Sequence, residues 1–213
     1  MQLQLAEQAD KLAAMQTVLD AQKSEMLTQQ QRLDALIGVR TEIIQELTTA
    51  LNRASLRASV DAGTGDIVLE SAVFFDTNSN TLKESGRQLL SQFLPVYLGV
   101  LMRPEYEEFV GEIIIEGHTD TDGSYLTNLK LSQNRALSVA EYCLELCKQL
   151  PDLKNQENKL QDLLTAKGRS YSDPIKNADG TVDKDASRRV EFKFRLKDTE
   201  MIEEMNRILS EME

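Results

Sequence analysis

One stretch concentrates polar chemistry. "IEGHTDTDGSYLTNLKLSQNRA", Ile115 to Ala136, gathers His118, Asp120, Asp122, Asn128 and Arg135 around a glycine and several hydroxyls. Alternation of His118, Asp120 and Asp122 would point all three the same way from an extended backbone, and three ligands can form an open metal site. "GHTDTDG" is turn-like, however, and no fourth ligand follows, so no metal is expected. Nucleophilic catalysis needs a nucleophile, a base and an orienting acid. His118 is the only imidazole in the chain, and no G-x-S-x-G elbow is present. Cys143 and Cys147 fall on the apolar side of a helical pattern with Ala136, Val139, Ala140 and Leu150, which reads as two buried core thiols. The chain is therefore expected not to be an enzyme and to use no cofactor.

A third possibility is recognition of a zwitterion. Asp120 sits at a strand end and Arg135 in the first turn of the helix expected to follow. A carboxylate accepts hydrogen bonds from an ammonium, and a guanidinium grips a carboxylate with two parallel bonds. Asn128, between them, offers both a donor and an acceptor. The alternative is an internal salt bridge between strand end and helix, worth little on a surface. Spacing alone leaves both open. Neither residue belongs to an apolar face, so both are expected to be dispensable for folding. Elsewhere, "NADGTVD" looks like the middle of an EF-hand loop, but its first and twelfth ligand positions would be Ile175 and Ala186, which offer no side-chain oxygen. A surface loop is expected there.

These residues need a scaffold, and the pattern supplies one. "DIVLESAVFF" reads as a strand, and "TLKESGRQLLSQFLPVYLGVLM" as a helix with a Thr81–Glu84 capping box and a kink or break at Pro95. "GEIIIEG" reads as a short apolar strand bounded by glycines. A helix is expected from about Ser132 to Leu150, and a strand within "QDLLTAKGRS". In "RRVEFKFRLK", Val190, Phe192, Phe194 and Leu196 alternate with Arg189, Glu191, Lys193 and Arg195, as in a half-buried strand. One apolar and one charged sheet face imply helices on a single side. The fold class is therefore α+β, a two-layer sandwich of order βαβαββ over residues 61–197, with an amphipathic helix over 198–213 carrying Ile202, Met205, Ile208, Leu209 and Met212.

Residues 1–60 read as a helical stalk. Up to about residue 57 there is no proline and one glycine, Gly38. Leu5, Leu12, Leu19, Met26 and Leu33 recur every seven residues, while Gln8, Gln22 and Gln29 interrupt the accompanying positions. This is a narrow coiled-coil seam, expected to form a homodimer through the N-terminal helix. At 1.5 Å per residue, 57 residues reach roughly 85 Å, a spacer's length. "DAGTGD", Asp61 to Asp66, marks the boundary.

The 213 residues suit one domain plus an accessory element, and the net charge of −11 argues against nucleic acid as a partner. No apolar run approaches the ~18 residues of a membrane span. "MQLQLAEQAD" lacks the basic and apolar regions of a secretory leader. The expectation is a cytosolic protein or the soluble part of something longer.

The central stretch resembles the signature G-H-T-D-x-x-G-x-x-x-x-N-x-x-L-S-x-x-R-A of the OmpA-like, or OmpA/MotB C-terminal, peptidoglycan-binding domain. Gly117, His118, Thr119, Asp120, Gly123, Asn128, Leu131, Ser132, Arg135 and Ala136 match it. "VFFDTNSNTL" looks like that family's first strand and turn, and "SRRVEF" like its last strand. The resemblance spans about Asp66 to Leu196. It implies an OmpA-like fold and non-catalytic binding of the diaminopimelate residue of wall stem peptides. Asp120 would take the ammonium and Arg135 the carboxylate, with Asn78, Asn128 and Arg188 lining the pocket. Asp122 stands where some members carry a neutral residue. The long segment "FLPVYLGVLMRPEYEEFVGE" and "TDTDGSY" look like the stator-type branch, MotB and the ZorB subunits of Zorya anti-phage systems. That resemblance implies the cell envelope, on its periplasmic side, an anchor in one membrane helix that this chain lacks, and a MotA-like channel subunit as partner. Two readings follow, a wall-binding anchor and a motor-stator subunit.

Overall fold

A run of good helix formers without proline has no reason to break, and residues Gln2–Arg53 form one helix, α1. The computed structural model describes residues 2–56 and 58–197, with side chains from residue 11 onward. The amphipathic helix expected over 198–213 lies outside the described residues, as does the side chain of Leu5. The chain divides into two compact units, Met1–Val39 and a second beginning at Arg40.

In the first unit the seam residues Leu12, Leu19 and Met26 are 70, 58 and 66% exposed, whereas Leu33 is buried. Local support comes from polar pairs one turn apart, Gln16 to Asp20 at 3.1 Å and Gln30 to Asp34 at 3.2 Å. The last turns of α1 belong to the second unit. There Ile43, Leu47 and Leu51 are fully buried, Arg40 Nη2 donates to the Thr64 carbonyl at 3.0 Å, and Glu46 pairs with Arg103.

The second unit is built on a five-stranded sheet: β1 (Ser59–Val60), β2 (Ile67–Glu70), β3 (Val110–Gly117), β4 (Leu164–Gly168) and β5 (Arg189–Leu196), in the order β1-β2-β5-β3-β4. Only β3 and β4 run parallel. They are joined by a crossover through α4 (Tyr125–Gln149), a 3₁₀ turn and α5 (Glu157–Leu163). Between β2 and β3 come α2 (Ser71–Phe74) and α3 (Glu84–Leu101), and α6 (Lys184–Ser187) precedes β5. This is the expected α+β architecture, a mixed sheet with helices.

The register puts Ile113 opposite Phe194, Ile115 opposite Phe192 and Gly117 opposite Val190, which aligns the apolar residues on one face. α3 covers that face through Phe93 and Tyr97, whose rings lie 4.8 and 5.8 Å from that of Phe192. α4 covers β3 and β4. It approaches so closely that a Cβ on Gly117 would lie 2.2 Å from the Ser132 carbonyl oxygen, and one on Gly168 2.4 Å from the Gln133 nitrogen. The two glycines thus set the distance of α4 from the sheet.

Several local expectations are corrected. The first strand stops at Glu70, and Ser71–Phe74 turn into α2. No capping box forms: α3 begins at Glu84 behind Lys83, without a side-chain cap, and continues through Pro95. The helix expected from Ser132 starts at Tyr125, because the Ser124 hydroxyl accepts from the Thr127 N–H and caps it there. Arg135 consequently lies in its third turn, not its first. The charged face of β5 is not open to solvent at its start, where Arg189 is 4% and Glu191 6% exposed.

Candidate functional site

β3 ends at Gly117, and the chain turns away over the sheet end. Two backbone bonds hold this exit, His118 N–H to the Arg189 carbonyl at 3.0 Å and Thr119 N–H to the Ser170 carbonyl at 2.9 Å. The next residues close a tight loop. The Asp122 N–H donates to Asp120 Oδ1 at 3.0 Å, Asn128 Nδ2 donates to the Asp122 carbonyl at 2.7 Å, and Gly123 takes a left-handed φ of 90°. That loop leads directly into the Ser124 cap of α4.

A second turn, Phe75 to Leu82, faces it. Asn78 adopts a left-handed φ of 57°, which asparagine tolerates better than most residues. Arg135 reaches from α4 to hold this turn, its Nε donating to the Ser79 carbonyl at 2.9 Å and its Nη2 to the Asp76 carbonyl at 3.2 Å. Its guanidinium also lies over the Phe75 ring at 5.1 Å. Arg135 is only 4% exposed. It fastens a turn 56 residues away in sequence.

Together these elements enclose a hollow of about 300 Å³, lined among others by Asn78, Asp120, Asn128, Arg135 and Arg188. All five residues singled out from the sequence meet there. Thr77, Thr119, Asp122 and Leu131 complete the lining. Thr119, whose hydroxyl is buried without a hydrogen-bond partner, carried no role in the sequence reading. Its match to the G-H-T-D signature, beside Asp120, was the available signal.

The internal salt bridge between Asp120 and Arg135 that the spacing left open does not form. Asp120 pairs with Arg188, immediately before β5, and not with Arg135. Arg188 also pairs with Asp185, and Lys184 bonds Asp122 at 2.7 Å. Burial pushes the Asp120 carboxyl upward, but the Arg188 and Asp122 hydrogen bonds outweigh it and hold the group below its usual range. For Arg135, burial and then the Arg188 charge lower the guanidinium pKa, with Asp120 opposing. Two guanidiniums thus face the hollow, and of the two only Arg188 is paired with Asp120. Arg135 has its Nη1 edge left to offer.

His118, Asp120 and Asp122 do not converge. His118 turns under the sheet, where its Nε2 lies 3.4 Å from Glu191 Oε2 and 3.7 Å from Glu116 Oε2. These three residues could in principle offer ligand atoms within 4.8 Å of one another. Lys193 already stands among them, its Nζ 2.8 Å from Glu116 and 2.7 Å from Glu191, and Lys167 and Arg189 bind the outer carboxylate oxygens. The ammonium holds the place a divalent ion would take, so the donor set does not favour a metal.

The sequence profile of the OmpA family matches residues 74–188. The Zorya protein ZorB of Escherichia coli strain ATCC 8739 is 32% identical over 183 residues, covering 74% of this chain and 75% of that protein. A second Zorya protein ZorB, from Escherichia coli O139:H28 strain E24377A, is 36% identical over 146 residues, 65% of this chain and 56% of its own length. Among solved structures, a MotB-like protein from Desulfovibrio vulgaris superposes with a TM-score of 0.53 at 22% identity, covering 76% of this chain and 94% of that one. At that identity the likeness speaks for the fold alone. No described helix is long and apolar enough to cross a membrane.

Proposed function

This chain belongs to the OmpA family, a family of non-catalytic binding domains, and from that premise we propose that its hollow binds peptidoglycan through the zwitterionic end of a diaminopimelate side chain. The observation that carries the reading is the convergence of Asn78, Asp120, Asn128, Arg135 and Arg188 on one hollow from segments far apart in sequence. A carboxylate offers about four acceptor sites, so Asp120 can take the ligand ammonium while it keeps the Asp122 N–H. The ligand carboxylate then sits between the Nη1 edge of Arg135 and Arg188, which turns from Asp120 toward the incoming charge. Thr119 and the Oδ1 of Asn128 add neutral hydrogen bonds. The net effect is to replace one internal ion pair by two charge-assisted contacts to the ligand.

The test is co-sedimentation with insoluble peptidoglycan. The unmodified chain should sediment with the wall, and Asp120→Ala should lose about 2–5 kcal/mol of binding, because a ligand charge is left desolvated and unpaired. A folded Asp120→Ala protein that sediments like the parent would remove this hollow as the wall site.

The similarity to ZorB favours a second, compatible role as stator subunit of an ion-driven complex, on the periplasmic side of the membrane with a MotA-like channel subunit as partner. In that role wall binding fixes the machine in place. This reading requires a native gene that encodes one membrane helix ahead of the stalk and a channel subunit recovered with it from detergent-solubilised membranes. A gene encoding no such helix would exclude it.

A further inference from the structure

The turn Phe75–Leu82 has a second hollow on its other side. It too measures about 300 Å³, and its lining includes Asn80, Arg87, Ser138, Glu141 and Tyr142. The two hollows share both walls, the same turn and the same helix α4, with Leu131 and Arg135 in one and Ser138 and Tyr142 in the other. Seven residues of helix separate Arg135 from Tyr142, about 10 Å of rise. An extended peptide covers that in roughly three residues.

Of the charged groups that line this hollow, Glu145 accepts from Gln149 Nε2 at 2.8 Å, whereas Arg87 and Glu141 are uncommitted. The Arg87 guanidinium lies over the Tyr142 ring at 4.8 Å, and it has no ion pair with any carboxylate among the described residues. Stacking fixes the plane of the guanidinium but leaves its edge N–H groups free, the condition for a bidentate grip on a carboxylate. Glu141, also lining the hollow, forms no ion pair with Arg87 or with any other cation among the described residues. An arginine and a glutamate facing one hollow without meeting each other can be bridged by a ligand that carries the complementary groups in one unit.

We propose that this second hollow is a further subsite for the same polymer, in which Arg87 takes the terminal carboxylate of a stem peptide and Glu141 accepts from the adjacent N–H. The proposal rests on the reading of the first hollow given above. It extends that reading from a single residue to a peptide that crosses the Asn78 turn, with its diaminopimelate side chain on one side and its C-terminus on the other. The selectivity it implies is for stem peptides that end in a free carboxylate over those whose terminus is blocked.

The test is titration calorimetry on the full chain with three probes: free meso-diaminopimelate, a stem tetrapeptide ending in a carboxylate, and the same tetrapeptide as its C-terminal amide. The unmodified chain should bind the acid about tenfold more tightly than the amide, as expected for one charge-assisted contact. Arg87→Gln should bring the acid down to the amide and leave free diaminopimelate unchanged. Equal binding of acid and amide by the unmodified chain overturns the proposal without any variant. So does an Arg87→Gln protein that loses affinity for all three probes alike. If free diaminopimelate does not bind but the acid still outbinds the amide through Arg87, the first hollow's reading falls and the second remains a carboxylate site. If no probe binds, both fall.

Discussion

The guanidinium of Arg135 is surrounded by acceptors that belong to the chain itself. Two of its nitrogens hold the carbonyls of Asp76 and Ser79, and this fixes the turn that presents Asn78 to the hollow. Removing it therefore acts on the fold as well as on the hollow. Asp120 is different, because its pair with Arg188 joins a 14% exposed carboxylate to a 37% exposed guanidinium. Solvent screens such a pair, and its net contribution is under about 1 kcal/mol. Arg135→Ala is expected to lower unfolding stability by about 2–3 kcal/mol, the loss of two bonds from a charged donor, whereas Asp120→Asn should cost less than about 1 kcal/mol. Urea titrations of the two variants at neutral pH measure the contrast, and equal midpoints would show that the turn does not depend on Arg135. The types and positions of all five pocket residues were legible in the sequence. Their pairing was not, because the choice of Arg188 over Arg135 as the partner of Asp120 depends on where β5 begins relative to the end of β3, and Asp120 and Arg188 lie 68 residues apart along the chain.

At the level of elements, β3 and β5 place a charged cluster on the sheet face away from α3 and α4. Glu116 stands opposite Glu191 and Ile114 opposite Lys193, and His118, only 1% exposed, completes the group. Like carboxylates facing each other across a ladder destabilise it, so the surrounding cations decide whether this register holds. Burial alone would depress the pKa of His118, but Glu116 and Glu191 outweigh it and raise the value above the ordinary one. The stability gained from His118 is thus fully present below its unfolded pKa of about 6.5 and is lost as pH rises through the higher folded value. Glu116 works in the opposite direction. Burial raises its pKa, while the neighbouring His118 and the Lys193 ammonium lower it to about 2. Its contribution is present above the usual carboxylate range and lost as pH falls toward about 2. Stability should therefore decline from pH 6 to pH 9, and His118→Gln should flatten that decline. Urea midpoints across this range for both proteins are the measurement, and parallel pH profiles would remove His118 from the account. Alternation in "RRVEFKFRLK" made the strand legible, yet it assigned Arg189 and Glu191 to solvent, because a pattern read along one strand carries no information about what covers the other face. The start of α4 was missed for a related reason. "GSYLTN" reads as polar loop until Ser124 is recognised as a cap, and α2 and α6, each of four residues, are too short to show any helical period.

For the molecule as a whole, α1 crosses the boundary between the two compact units at Val39 and Arg40, so its sequence answers to two environments. From Arg40 its apolar residues Ile43, Leu47 and Leu51 are fully buried, as core positions of the second unit. Before Val39 the seven-residue series runs through Leu12, Leu19 and Met26, which are more than half exposed in the single chain, and ends at Leu33, which is buried. A spacing of seven on an isolated helix buries nothing by itself; it keeps its stripe in line only against a partner helix that supercoils with it. A second copy of the same helix, parallel and in register, meets that requirement with its own identical series. The gaps at Gln22 and Gln29, both exposed, weaken the seam, so association should be concentration-dependent and not permanent. Dimerisation is therefore expected through the first unit, and a deletion test should cut at Val39, since removing Arg40 to Arg53 would also take Ile43, Leu47 and Leu51 out of the second unit's core. Replacing Leu12, Leu19 and Met26 together by glutamine leaves helix propensity nearly unchanged and removes the apolar contact alone. Sedimentation equilibrium over a hundredfold range of concentration should show a monomer–dimer equilibrium for the unmodified chain and monomer for the triple variant. Identical monomer fractions in the two proteins would mean that the stalk works as a single helix, and that any pairing of these domains on the wall arises elsewhere.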